Sequence, residues 1–181
     1  MPGPRFTYED YKLLPEDKRC EIVEGDLLMT PSPIFRHQVV LKRLMMRLGA
    51  FVDAGGLGEV VSAPMDVVLS AENVVQPDLL FISQERMNIV DPMGPVNGAP
   101  DLTVEVLSPS TSGRDQILKR KLYAKYGVRE YWVVDPDGRT VEVLTQSSTG
   151  LETYRVFPVG SVLTSPLLPG LAIPVADLFL S

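Results

Sequence analysis

This chain of 181 residues has a single cysteine and a single histidine. Cys20 alone excludes an internal disulfide and any cysteine-cluster zinc or iron–sulfur site. It reads most simply as a small apolar residue entering a strand. Ser-His-Asp or Cys-His catalysis would have to pass through His37, so a hard metal on oxygen ligands is the more natural expectation. No apolar run approaches the ~20 residues of a membrane span, and Met1-Pro2-Gly3-Pro4-Arg5 lacks the apolar segment of a secretory signal. A soluble, cytoplasmic protein that engages no membrane is expected. Positive charge is also scarce: 17 Lys and Arg against 23 Asp and Glu leave a net charge of -6, which argues against nonspecific coating of nucleic acid. The cations are clustered, however. Arg36, Lys42, Arg43 and Arg47 form one group, and Arg114, Lys119, Arg120, Lys121, Lys125 and Arg129 a second; solvated helix faces would explain either.

With 45% hydrophobic and 22% charged residues, the chain suits one core and one domain over 1–181. Thr7 followed by Asp10 predicts a capped short helix ending near Leu14-Pro15. Cys20–Glu24 and Asp26–Met29 flank Gly25 as a strand pair. After Pro31-Ser32-Pro33, apolar residues from Val40 to Val52 recur at helical spacing and predict a helix from about Ile34 to Ala54. Val60-Val61, Met65–Val68 and Asp78–Ile82 read as strands, and 83–100 as a Pro- and Gly-containing loop. Leu102–Leu107 reads as a buried strand and Arg114–Tyr126 as a helix ended by Gly127. Glu130–Val134 and Thr140–Leu144 form a hairpin about Asp135-Pro136-Asp137-Gly138, Thr153–Phe157 is a further strand, and the Pro-rich tail packs as loops with a terminal helical turn. The order predicts an α/β (α+β mixed) domain with helices packed on a mixed sheet.

Two strands carry lone carboxylates in apolar runs: Asp78 in Pro77-Asp78-Leu79-Leu80-Phe81-Ile82, and Glu105 in Asp101-Leu102-Thr103-Val104-Glu105-Val106-Leu107. An ionised carboxylate there costs several kcal/mol unless compensated, and a bound cation is the compensation that also does chemistry. Alternation puts Asp101, Thr103 and Glu105 on one face, but Asp101 and Glu105 are roughly 14 Å apart along the strand, too far to share an ion. Adjacent strands lie ~5 Å apart, so Asp78 is the leading partner for Glu105 on one Mg²⁺ or Mn²⁺. The alternative is that Asp78 caps a turn and Glu105 pairs with an arginine. On the following helix, Lys119 falls within the arc of Leu118, Leu122, Tyr123 and Tyr126, where it either pairs with Asp115 one turn away or reaches across the sheet toward Glu105.

Pro77-Asp78, Glu105-Val106-Leu107-Ser108-Pro109-Ser110-Thr111, then Asp115, Lys119 and Tyr123, then Gly127 through Pro136, resemble the Uma-type family of "putative restriction endonucleases", formerly a domain of unknown function. The likeness extends through Glu21-Ile22-Val23-Glu24-Gly25-Asp26 and Arg36-His37-Gln38. The family is similar in fold to the PD-(D/E)XK nucleases, which implies a restriction-endonuclease-like central mixed sheet flanked by helices, with extra antiparallel hairpins. It also implies metal-binding carboxylates at Asp78 and Glu105 and a lysine that orients the attacking water. The position two after Glu105 is Leu107 rather than that lysine, so Lys119 is the migrated replacement.

The function expected is metal-dependent phosphodiester hydrolysis on DNA, with Asp78, Glu105 and the Val106 carbonyl holding Mg²⁺, Lys119 positioning the nucleophile, and the basic helices meeting the backbone. Glu21 is the stronger of two accessory acids, Glu24 the weaker. His37 with Gln38 stands where a helix start favours anions, open to phosphate contact or simple helix-end packing. The alternative is a catalytically silent nuclease-fold module that binds a protein partner or dimerises. A homodimer would suit cleavage of both strands of a duplex, although no residue points to one.

Overall fold

The computed structural model describes residues 5–15, 19–108 and 113–179, apart from the side chains at 114 and 115. Helix α1 (Tyr8–Tyr11) opens with a capping box in which the Asp10 carboxylate accepts the Thr7 N–H at 2.8 Å. Strands β1 (Cys20–Val23) and β2 (Asp26–Met29) follow, joined by Glu24 and Gly25 at φ 51° and 80°. Two left-handed residues in succession are what a tight right-twisted hairpin needs. Helix α2 (Phe35–Gly55) turns His37, Val40, Leu41, Leu44, Leu48 and Val52 inward and ends on left-handed Gly56. The chain continues through β3 (Gly58–Ser62), β4 (Val67–Ser70), β5 (Asn73–Val75), β6 (Leu79–Ser83), a 3₁₀ helix (Gln84–Ile89), β7 (Val96–Asn97) and β8 (Leu102–Val106). Helix α3 (Gly113–Tyr126), β9 (Glu130–Asp135), β10 (Thr140–Ser147), β11 (Gly150–Pro158), β12 (Val162–Leu163), β13 (Ile173–Pro174) and a last 3₁₀ turn (Val175–Asp177) complete it.

The larger sheet has six strands in the order β11-β10-β9-β8-β6-β3. Its β8 and β9 are parallel with α3 as their crossover, and its other pairs are antiparallel. A five-stranded sheet, β2-β1-β5-β4-β7, stands apart from it. Period-2 alternation divides the core. Leu79, Phe81, Leu102, Val104, Val106, Trp132 and Val134 face α2 and the C-terminal residues Leu163, Leu168, Ile173 and Val175. On the other face Leu80, Ile82 and Tyr131 meet Leu122 and Tyr123 of α3 and Val23, Val67 and Val75 of the smaller sheet. Each fully buried aliphatic or aromatic side chain contributes roughly 1.5–3 kcal/mol of transfer free energy.

Two features depart from the sequence reading. The segment 83–100, expected as a loop, contains the 3₁₀ helix and β7. The 3₁₀ helix carries Arg86, which reaches the fully buried Asp101 at 3.0 Å. The sheet expected as one is a six-stranded and a five-stranded sheet, with a third, two-stranded one where β12 pairs β13 in the tail expected as loops; β5 is a three-residue strand whose partner β1 lies about fifty positions earlier, beyond any local pattern. The pairing of Lys119 with Asp115 falls on a side chain outside the described residues. Among the described residues no helix is long and apolar enough to cross a membrane.

Candidate active site

Strand order brings the two lone carboxylates together. One step beyond the pair Leu79–Val104, the antiparallel register of β6 and β8 sets Asp78 opposite Glu105. Asp78 Oδ2 accepts the Val106 N–H at 2.7 Å and lies 3.1 Å from His37 Nε2. Within a strand, the N–H and C=O of one residue face the same edge, so β8 turns the Val106 carbonyl toward Asp78 too. The Leu107 N–H faces the other way, to the Val134 carbonyl at 2.8 Å.

Glu105 Oε1 accepts from Lys119 Nζ at 2.9 Å and from the Tyr123 hydroxyl at 2.7 Å, the two donors standing one turn apart on α3. Lys119 also lies 3.0 Å from Glu21 Oε1, which is held by the Gln76 N–H at 2.7 Å. The side chains of Glu21, Glu105 and Lys119 are only 8%, 13% and 17% exposed. Burial pushes the Glu105 carboxyl up to about 7; Lys119 opposes that shift, and the charges of Asp78 and Glu21 add to it. Burial disfavours the Lys119 ammonium, but Glu105 and Glu21 outweigh it and raise its pKa. Burial and then Glu105 hold the Tyr123 phenol well above its ordinary range.

Glu21 and Glu105 share the Lys119 ammonium and Asp78 adds a further carboxylate to the cleft, an excess of negative charge that suits a divalent cation. Among the described residues the hydrogen bonds of Asp78 fall on Oδ2, and those of Glu105 and Glu21 on Oε1. Their second oxygens meet no donor among those residues. Among the described residues no three His, Cys, Asp or Glu side chains are grouped to hold a metal, so a site here rests on two carboxylates and a carbonyl. Hard oxygen donors of this kind fit Mg²⁺ or Mn²⁺ rather than zinc.

Glu21, His37, Gln38, Asp78, Glu105, Val106 and Lys119 all line one cleft of about 410 Å³. His37, in the first turn of α2, packs at that helix end with its ring buried and Nε2 turned to Asp78. Glu24 occupies the β1–β2 turn, on the exposed side. Several arginines of the two basic clusters have partners within the chain, while Lys42, Lys121 and Lys125 are exposed. Arg36 pairs with Asp137, Arg43 with the Phe179 carbonyl, Arg47 with Asp177 at 2.7 Å, Arg120 with the Leu151 carbonyl and Arg129 with Asp101.

The sequence reading missed three contributions. Tyr123 was counted as an apolar contact although it stands at i+4 from Lys119, a spacing that could have flagged it. The Gln76 N–H is a backbone donor without a sequence signal. Arg19 lines the cleft with Nε buried and unpartnered among the described residues.

A six-stranded mixed sheet with carboxylates from two adjacent strands and a lysine from the crossover helix defines a restriction-endonuclease-like fold. Residues 8–176 match the family model Uma2, described as "Putative restriction endonuclease", and the chain belongs to that family. The chain is also similar in fold to the crystal structure of "a putative nuclease belonging to DUF820" from Anabaena variabilis ATCC 29413, with TM-score 0.80 and 23% identity over 96% of this chain and 97% of that one. No curated protein matches it.

Proposed function

We propose that the protein is a metal-dependent endonuclease that hydrolyses phosphodiester bonds in DNA. The observation that carries this reading is the convergence of Asp78, Glu105 and Lys119 at one cleft, within a chain of the Uma2 family. Asp78, Glu105 and the Val106 carbonyl would hold Mg²⁺ or Mn²⁺. When bound, such an ion lowers the pKa of water and offsets charge on the phosphate.

The chain's own residues supply the rest. His37 and the Val106 N–H fix Asp78 Oδ2, which leaves Oδ1 for the ion. Lys119 and Tyr123 fix Glu105 Oε1 in the same way. Lys119 holds its proton firmly, so it orients the attacking water and places positive charge beside the phosphate without serving as a base. Leu107 lines the cleft where the parent pattern has lysine, and Lys119 reaches the site from α3 instead.

The test is a cleavage assay on a supercoiled plasmid and on a single-stranded DNA circle with Mg²⁺ and Mn²⁺, paired with a thermal shift on metal addition. Nicking and a raised melting temperature are expected, both lost in Asp78→Asn with its circular dichroism kept. No shift and no nicking in the wild-type protein would instead favour a catalytically silent module.

A further inference from the structure

We infer, resting on the hydrolase reading above, that the DNA entering this cleft is an unpaired strand rather than a duplex. Duplex binders neutralise many phosphates, commonly about 6–10, with free Lys and Arg. Here Arg36, Arg43, Arg47, Arg120 and Arg129 already have partners within the chain, and the exposed Lys42, Lys121 and Lys125 do not line the cleft. Arg19 is the cleft-lining guanidinium that meets no carboxylate among the described residues, enough for one phosphate rather than a row of them.

The shape of the cleft agrees. Asp78 and Glu105, at 17% and 13% exposure, sit recessed in a space of about 410 Å³. That volume lies toward the lower end of the ~300–1,000 Å³ of small-ligand pockets, a fit for about one nucleotide. A backbone stiffened by pairing brings its phosphates to a surface, whereas a single strand can bend one nucleotide inward.

The same cleft has apolar lining: Leu27, Leu28, Met29, Pro31 and Pro33 contribute to it. Met29, which lines the cleft, and Ile34 and Phe35, which follow the cleft-lining Pro33 in the chain, are 62%, 45% and 77% exposed, with Phe35 one turn ahead of the cleft-lining Gln38. Single exposed apolar residues are ordinary, but these three belong to one segment, 29–35, that supplies much of the cleft's lining, and they offer apolar surface to bases. Unpaired bases present π-faces to such a surface; paired bases have buried theirs in the stack.

The experiment compares one labelled DNA oligonucleotide as a single strand and as a blunt duplex, with the full chain in Mn²⁺. Cleavage of the strand should exceed that of the duplex by roughly tenfold or more in kcat/KM, and Phe35→Ala should raise KM for the strand at least about fivefold without lowering the melting temperature. Duplex cleavage as fast as strand cleavage, or an unaltered KM in Phe35→Ala, overturns the inference. If neither form is cut, anisotropy with the same two probes decides. Tighter binding of the strand, with a log–log salt slope of roughly -0.7 for each of one or two phosphates, keeps the inference and retires the hydrolase reading. Equal or tighter binding of the duplex, or no binding of either, overturns it.

Discussion

Lys119 reaches Glu105 on β8 at 2.9 Å while also touching Glu21 on β1, so a single ammonium ties the larger sheet to the smaller one across the cleft. Removing that charge strands two nearly buried carboxylates. Lys119→Met should cost roughly 3 kcal/mol at pH 8. The loss should be smaller at pH 6, where Glu105 takes up a proton and no longer needs the cation. Urea unfolding at the two pH values measures both quantities, and an equal loss at each would mean that Lys119 acts through packing alone.

Glu105 itself works against the stability of the metal-free protein. Its folded pKa of about 7 lies above the ordinary carboxylate value, so between the two the folded state holds a proton that the unfolded state has released. Stability therefore falls as pH rises through this window and is lowest above pH 7. Glu105→Gln should remove that slope and raise metal-free stability at pH 8 by up to roughly 3 kcal/mol, while it abolishes the thermal response to Mn²⁺. Thermal scans from pH 5 to pH 8 give the comparison.

The same proton competes with a divalent ion for Glu105. Affinity for Mn²⁺ should fall about tenfold between pH 8 and pH 6, with roughly one proton released per ion at the lower pH. Calorimetry in buffers of different ionisation enthalpy counts those protons. A pH-independent affinity would remove Glu105 from the ligand set.

Sequence reasoning located the carboxylates because charge in an apolar strand has few physical excuses, and Lys119 because it is the basic residue inside an apolar helix arc. Both arguments are local. The contact of His37 with Asp78 spans 41 positions and depends on how α2 lies over the sheet, which periodicity does not encode. The short pairing of β1 with β5 escaped for the same reason, and with it the second sheet that delivers Glu21. Composition counts charges without their partners: Arg43 and Arg47 meet the C-terminal segment, a contact fixed only by the folded chain.

Asp101 shows how two acids on one face of β8 separate in role. It is fully buried, and its Oδ2 accepts the Ser83 N–H at 2.9 Å while Arg86 meets Oδ1 at 3.0 Å. Burial opposes its ionisation, but these donors outweigh it and hold its carboxyl below the usual range. Its contribution is present above the ordinary carboxylate pKa and is lost as pH falls through the lowered one. Asp101→Ala should cost about 2–4 kcal/mol by leaving the Ser83 N–H and Arg86 unpaired. Cleavage per folded molecule should persist, which separates this anchor from Glu105; guanidinium unfolding alongside the plasmid assay reads both.

Tyr123 tests whether orientation of Glu105 matters apart from charge. Its hydroxyl shares Glu105 Oε1 with Lys119, and the ring packs edge-on against Tyr131 at 5.2 Å between centroids. Tyr123→Phe keeps the ring, removes one hydrogen bond and changes no formal charge, so stability should drop by only about 1 kcal/mol. Partners that orient a metal-binding carboxylate typically govern 10–100-fold of affinity or activity, and a loss of roughly tenfold in Mn²⁺ affinity is expected. Because the phenol also helps to hold Glu105 ionised, part of that loss should be recovered by raising the pH from 7 to 9. Calorimetric titration at both pH values makes the distinction: recovery at high pH assigns Tyr123 to the ionisation of Glu105, and a constant deficit assigns it to geometry.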